Sequence, residues 1–360
     1  MDKNTITGFV LIAALLIGFS WYNKPSDEEI AQQRTQDSIA AVEKKKAEAD
    51  RNAKVIAAKA TTESIDTTSA FHEVLVGRSD VVTLRNKKLE VTFNTKGATV
   101  EKAVIKGFKN YKGEGNVTLF DKNDQQLKFM LSGKDMNLVT SEMYFTPSNV
   151  TDTSVVFTAA TAEGKSLIIC YNLGKDYMLH ASIQAKGMSG LFAPNCATMD
   201  VEWTDKCRQQ EKGFTFENRY ASLTYHKKDG GTDYLNEGKE LIDENIEDQI
   251  DWVAFKNQFF SAVMIAQKDF GKEAKMTSIP QEKGSGYLKQ YGAKMKAFFD
   301  PTGKQPTEFE FYYGPNDYRL LQNVEEESRF GKNLEMQRLV YLGWPLFRII
   351  NRWFTIYVSD

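Results

Sequence analysis

Hydrophobic and polar positions fall into four successive textures along this chain. Ile6 to Tyr22 is an apolar run without a charge, closed by Trp21 and Tyr22 and followed by Lys24. At about 1.5 Å per residue it reaches about 26 Å, the short end of what crosses a bilayer as a helix. Its two aromatics stand where an interfacial belt belongs. The pattern predicts a transmembrane anchor over residues 1–24. A cleavable signal peptide is the alternative, because Gly18 and Ser20 are small residues placed suitably before a cut. Lys3 and the α-amino group precede the run while Asp27, Glu28 and Glu29 follow it, which orients the N-terminus to the cytoplasm and the bulk of the chain outside. From Pro25 to Ala70 the residues turn to Glu, Lys, Gln, Ala, Ser and Thr, with no sustained heptad of apolar positions. A charged tether over residues 25–70, flexible or partly helical, is expected there.

After Phe71 short apolar runs are broken by Gly, Asn, Asp and Lys. Val81 to Leu84, Leu89 to Phe93, Val100 to Ile105, Val117 to Phe120, Leu127 to Leu131, Val155 to Phe157, Leu167 to Tyr171, Met178 to Ile183 and Met199 to Trp203 fit strands. The series continues through Tyr220 to His226, Ile250 to Phe255, Phe259 to Ile265, Met295 to Phe299 and Glu308 to Tyr313, with the spacing of an all-β sandwich. Leu89-Glu-Val-Thr-Phe93 and Glu308-Phe-Glu-Phe311 alternate with period two, as strands with one wet face do. No linker-like break interrupts the stretch, so one large, mainly β domain is expected over residues 71–330. Gly314-Pro-Asn-Asp317 predicts the end of the sheet and the start of a short helix capped by Asn316 or Asp317.

The fourth texture lies within residues 331–360, a connector leading into an amphipathic helix. Pro345 suits a first helical turn. From there Arg348, Asn351, Arg352 and Thr355 share one face, while Phe347, Ile350, Trp353, Phe354 and Tyr357 lie on a wide apolar arc. Two arginines without an acid opposite so broad an apolar face predict a helix lying in a membrane interface. A helix packed on its own domain is the alternative.

Forty-six basic against 48 acidic residues leave a net charge of −2, which lacks the basic field that holds nucleic acid phosphates. Nucleic acid is excluded as a partner. Twelve per cent aromatic content, with 23 Phe and 15 Tyr, favours strands in the folded part. Cys170, Cys196 and Cys207 lack the spacing of a metal or redox site. Cys196 and Cys207 could close a short disulfide loop if the domain is exported; otherwise all three are small core residues. Ala159-Ala-Thr-Ala-Glu-Gly164-Lys-Ser166 lacks the first glycine of a phosphate loop and reads as a hairpin turn. Asp121-Lys-Asn-Asp124 starts like a calcium loop without its glycine or closing glutamate. His72, His180 and His226 are far apart, and a pair of them with Asp200 or Glu202 would be needed for acid–base work on a sugar. Asp243-Glu244 and Glu247-Asp248 read as a solvated loop. No constellation demands catalysis, a metal or a cofactor.

Several features together resemble one family. A Met-Asp-Lys-Asn start to a short anchor, a charged tether, Val91-Thr-Phe-Asn-Thr-Lys-Gly97-Ala-Thr-Val-Glu101, Phe311-Tyr-Tyr-Gly-Pro315 and Tyr341-Leu-Gly-Trp-Pro-Leu-Phe347 are similar to the YidC membrane protein insertases of Gram-negative bacteria. The resemblance implies a β-supersandwich in the periplasm, set on an inner-membrane protein that helps nascent inner-membrane proteins insert and fold, alone or with the Sec translocon and its accessory proteins. It also implies that the insertase work belongs to a five-helix core with a groove arginine beyond the interfacial helix. Neither Arg348 nor Arg352 corresponds to that arginine. A membrane-tethered sandwich that binds or epimerises a carbohydrate of the cell envelope is the competing expectation.

Overall fold

The computed structural model describes residues 71–340, apart from 114, 135, 195 and 236–240. The expected anchor, tether and interfacial helix lie outside these residues. With them lie Trp21, Tyr22, Phe347, Arg348, Ile350, Arg352, Trp353, Phe354 and Tyr357.

After a single helical turn, α1 (His72–Leu75), β1 (Val81–Arg85), β2 (Leu89–Asn94), β3 (Thr99–Lys109) and β4 (Asn116–Asp121) form a four-stranded antiparallel meander. There follow β5 (Gln125–Leu131), β6 (Leu138–Val139), β7 (Thr146–Ser148), β8 (Ser154–Ala160), β9 (Ser166–Leu173), β10 (Met178–Lys186) and β11 (Thr198–Arg208). A short helix, α2 (Phe214–Arg219), precedes β12 (Ser222–Lys227), β13 (Thr232–Tyr234), β14 (Ile242–Ile246), β15 (Ile250–Lys256), β16 (Phe260–Phe270), β17 (Ala274–Pro280), β18 (Tyr287–Phe298) and β19 (Thr307–Pro315). α3 (Tyr318–Glu327) closes the series, with the Asp317 carboxylate accepting from Leu320 N at 2.9 Å as its cap.

Nine strands pair in the order β13-β12-β15-β16-β19-β10-β9-β8-β7, and six in the order β14-β17-β18-β11-β5-β6. The chain is mainly β and sandwich-like, as its alternating pattern predicts. Aromatic pairs carry the contact between layers. Trp203 of β11 stacks on Phe255 of β15 at 4.0 Å, Phe129 of β5 on Phe309 of β19 at 5.6 Å, and Phe120 of β4 meets Tyr313 of β19 edge-on at 5.4 Å. Each such pair adds about 1 kcal/mol beyond the area it buries. The expected hairpin turn joins β8 to β9, where Thr161 N donates to Lys165 O and Gly164 N to Thr161 O.

Two expectations are corrected. Asp243 and Glu244 belong to β14, whose Glu244 pairs with Met276 of β17. Ile242 and Ile246, the apolar positions of that strand, are too few to betray it. Cys196 and Cys207 are free, and no disulfide joins them. β11 runs extended between them, and at about 3.3 Å per residue its two ends stand on the order of 30 Å apart.

The edges of the nine- and six-stranded sheets are modest, whereas the four-stranded meander ends in the longer β1 and β4. β13, β7 and β6 are three, three and two residues long, β7 contains Pro147, and β14 presents Asp243, Glu244 and Asn245 to solvent.

Candidate functional site

Alternation gives the nine-stranded sheet two different faces. Phe255, Phe309, Phe311 and Tyr313 look into the sandwich, so Trp252, Glu310 and Tyr312 look away from it. The register aligns those outward positions in one transverse row. Thr232 opposes His226, His226 opposes Trp252, Trp252 opposes Ile265, Ile265 opposes Glu310, and Glu310 opposes His180. Directly opposed residues share a face. An exposed row of this composition would be costly in apolar area, and the chain covers it.

The cover is α3 together with a strap, residues 328–340. Leu321 and Val324 of α3, then Leu334, Met336 and Leu339 of the strap, are buried. The core therefore continues past residue 330. At the β19 end of the row, Glu310 is fully buried and accepts from Ser328 Oγ at 2.7 Å and Arg329 N at 2.8 Å, with His180 Nδ1 at 2.9 Å from the same carboxylate. Burial pushes the Glu310 carboxyl up, but these donors outweigh it and leave the group below its ordinary value. Further along, Trp252 Nε1 donates to Leu334 O at 2.7 Å. Three inter-strand spacings separate β19 from β12, about 14 Å. The residues from 328 to 335 can reach at most about 24 Å, so the strap crosses without being taut.

At the β12 end lies a mixed-charge cluster. Lys332 Nζ bonds Asp251 at 2.8 Å, Ala266 O at 3.0 Å and Asp269, and Lys228 reaches Asp269 at 2.7 Å. His226 stacks on Trp252 at 5.7 Å, with Nδ1 at 3.1 Å from Asp251 Oδ2 and Nε2 at 3.4 Å from Glu335 Oε2. Burial alone would raise the Asp251 carboxyl; its bonds to His226 and Lys332 instead hold it well below the carboxylate range. Glu335 has a left-handed backbone, φ +46°, unusual for a residue with a side chain. Its N–H donates to Glu325 of α3, and its carboxylate takes Arg338 at 2.8 Å. Those contacts fix the Glu335 carboxylate beside the imidazole.

The structure thus separates the histidines from the acids named beside them. Asp200 and Glu202 lie on β11 in the other large sheet, where Glu202 pairs with Lys128 and Lys294. His180 and His226 are on one row but several strands apart, each already engaged by a carboxylate, and neither lines any of five clefts of about 300–460 Å³. Among the described residues no group of three or more His, Cys, Asp or Glu could hold a metal. The arrangement is a mechanical joint. Its working residues, Glu310, Asp251, Lys332 and Glu335, are absent from the sequence reading. Glu310 reads as the wet face of an alternating strand, and Lys332 as part of a polar connector; only the register brings them together.

A family model described as the YidC periplasmic domain matches residues 81–357. Proteins named membrane protein insertase YidC are similar over the whole chain. That of Phocaeicola vulgatus is 46% identical over 362 residues, that of Bacteroides fragilis 42% over 367, and that of Porphyromonas gingivalis 33% over 379. In each case 100% of this chain aligns with 58% of the relative, so the chain spans less than two thirds of their length. Among solved structures, a galactose mutarotase related enzyme from Lactobacillus acidophilus aligns with a TM-score of 0.41 at 11% identity, over 65% of this chain and 97% of that one. A crystal structure of an active YidC insertase with its first transmembrane domain resolved aligns at 0.35 and 12% identity, over 80% of this chain and 52% of that one.

Proposed function

This chain belongs to the YidC family of membrane protein insertases, and from that premise we propose that it is the anchored, non-catalytic periplasmic part of a protein that assists insertion and folding of inner-membrane proteins, alone or beside the Sec translocon. The observation that carries this reading is the match over the whole chain to proteins of that name. In this reading residues 1–24 cross the inner membrane with Met1 in the cytoplasm. Residues 25–70 are the tether, residues 71–330 the periplasmic sandwich, and residues 331–360 the connector and interfacial helix. Trp21 and Tyr22 mark one membrane contact; Phe347, Arg348, Ile350, Arg352, Trp353, Phe354 and Tyr357 mark the other. The strap carries the packed part past residue 330, because Leu334, Met336 and Leu339 are buried and Trp252 Nε1 donates to Leu334 O, so the connector of this division begins bound to the sandwich.

Reporter fusions after residue 70 test the topology. A reporter that works only outside the cytoplasm should be active there; activity from a cytoplasm-dependent reporter alone would overturn it. Incubation with aldoses tests the non-catalytic assignment. No epimerisation is expected, and turnover that disappears in His180→Ala or His226→Ala would establish the carbohydrate reading instead.

A further inference from the structure

We propose that His226 is a proton-operated latch that fastens the strap to the nine-stranded sheet when the imidazole is doubly protonated and loosens it when the ring is neutral. The inference goes beyond the insertase reading and stands on the geometry of the joint alone.

The two ring nitrogens of His226 face two acids on different elements. Nδ1 is 3.1 Å from Asp251 Oδ2 on β15, and Nε2 is 3.4 Å from Glu335 Oε2 on the strap. A neutral imidazole carries one N–H and one lone pair. With its proton on Nδ1 it satisfies Asp251, and the bare Nε2 then confronts a carboxylate oxygen, acceptor against acceptor. With its proton on Nε2 the same conflict moves to Asp251. Only the imidazolium donates to both sides. Nε2 is buried and makes no aligned hydrogen bond among the described residues, and His226 is 2% exposed, so bulk water does not reach it.

The remaining charges around the ring do not replace the missing donor. Lys332 is committed to Asp251, Ala266 O and Asp269; Lys228 to Asp269; Arg338 to the other oxygen of Glu335. The Trp252 ring stacked on His226 offers its N–H to Leu334 O. Imidazole is the only side chain type in this cluster whose ordinary titration lies near neutral pH. The hydrogen bonds of Asp251 and Glu335 favour their charged forms, so both remain the acceptors that the imidazolium needs.

The second histidine of the row provides an internal control. His180 faces one carboxylate through one nitrogen, Nδ1 at 2.9 Å from Glu310, and although this contact too is not an aligned hydrogen bond, a single facing acid needs a single proton, which a neutral tautomer carries. The β19 end of the strap should therefore stay fastened while the β12 end responds to pH.

Hydrogen exchange on the full chain in detergent micelles, corrected for the intrinsic pH dependence of exchange, tests this between pH 5.5 and 8.5. Protection of the Glu335 and Arg338 amides should fall at least fivefold across the range, while Arg329 N and the strands β16 and β19 hold. In Glu335→Gln the carboxamide can donate to a neutral Nε2, and protection at these amides should become independent of pH. Nitrogen chemical shifts of His226 report the ring itself and should move from imidazolium to a single tautomer over the same interval. Protection that is flat in the parent chain, or equally pH-dependent in Glu335→Gln, would overturn the proposal. So would a neutral His226 throughout the range.

Discussion

Glu217 and Asp205 are two buried carboxyls, 0% and 5% exposed. Glu217 accepts from Gln210 N at 3.0 Å and Glu211 N at 2.9 Å, yet its burial outweighs these bonds and pushes its pKa up to about 7. A raised folded value means that the folded chain holds a proton the unfolded chain has released. Stability from this group is therefore fully present below about pH 4.5 and declines as pH rises to about 7, by on the order of 3 kcal/mol. Glu217→Gln keeps an acceptor for both backbone amides through one oxygen. It should leave the melting temperature at pH 4.5 nearly unchanged and raise it by several degrees at pH 8, measured by calorimetry; equal shifts at both values would refute the assignment. Asp205 is lifted by burial first and by Asp124 second. Its Oδ1, and Oε1 of Gln125 directly opposite, lack hydrogen-bond partners among the described residues. Protonation makes the Asp205 carboxyl a hydrogen-bond donor. Asp205→Asn is neutral at every pH, and should shift the denaturant midpoint upward at pH 8 but little at pH 4.

The strap and the expected interfacial helix make separate predictions at the level of elements. Removing Lys332 leaves Asp251 and Asp269 buried with less compensation, and breaking such a pair costs about 3 kcal/mol. Lys332→Ala should accordingly unfold at lower denaturant, whereas Lys304→Ala, on an exposed turn, should not. For residues 345–358, each buried aromatic or Ile contributes about 2 kcal/mol to membrane partition before ordering costs. In a chain lacking residues 1–24, Phe354→Asp should weaken liposome flotation strongly and Thr355→Asp only slightly; equal losses would mean that the helix packs on protein. The sequence made these elements visible to different degrees. Strands such as Leu89–Asn94 alternate apolar inside and polar outside and are plain to read. β14 is not, because its solvent-facing edge leaves Asp243-Glu244-Asn245 looking like a loop. The joint was illegible because His226 lies 25 residues from Asp251 and 109 from Glu335, and a one-residue change of register would take either contact away. The cysteines misled by nearness in sequence, since the residues between them are extended.

At the scale of the whole molecule, the proposed function stations this folded domain beside a lipid surface, with the expected anchor at one end and the expected interfacial helix at the other. A domain so placed, on the function proposed here, meets apolar segments before they have found their own hydrogen-bond partners. Such segments are in want of a neighbour, and an open strand would serve them as one. The edges of its two large sheets decline that role. Pro147 removes an amide from β7, β6 and β13 are too short to template more than a residue or two, and β14 lines its rim with negative charge. At those four edges an unfinished chain finds little to pair with, and on the function proposed here a hold taken there comes through side chains.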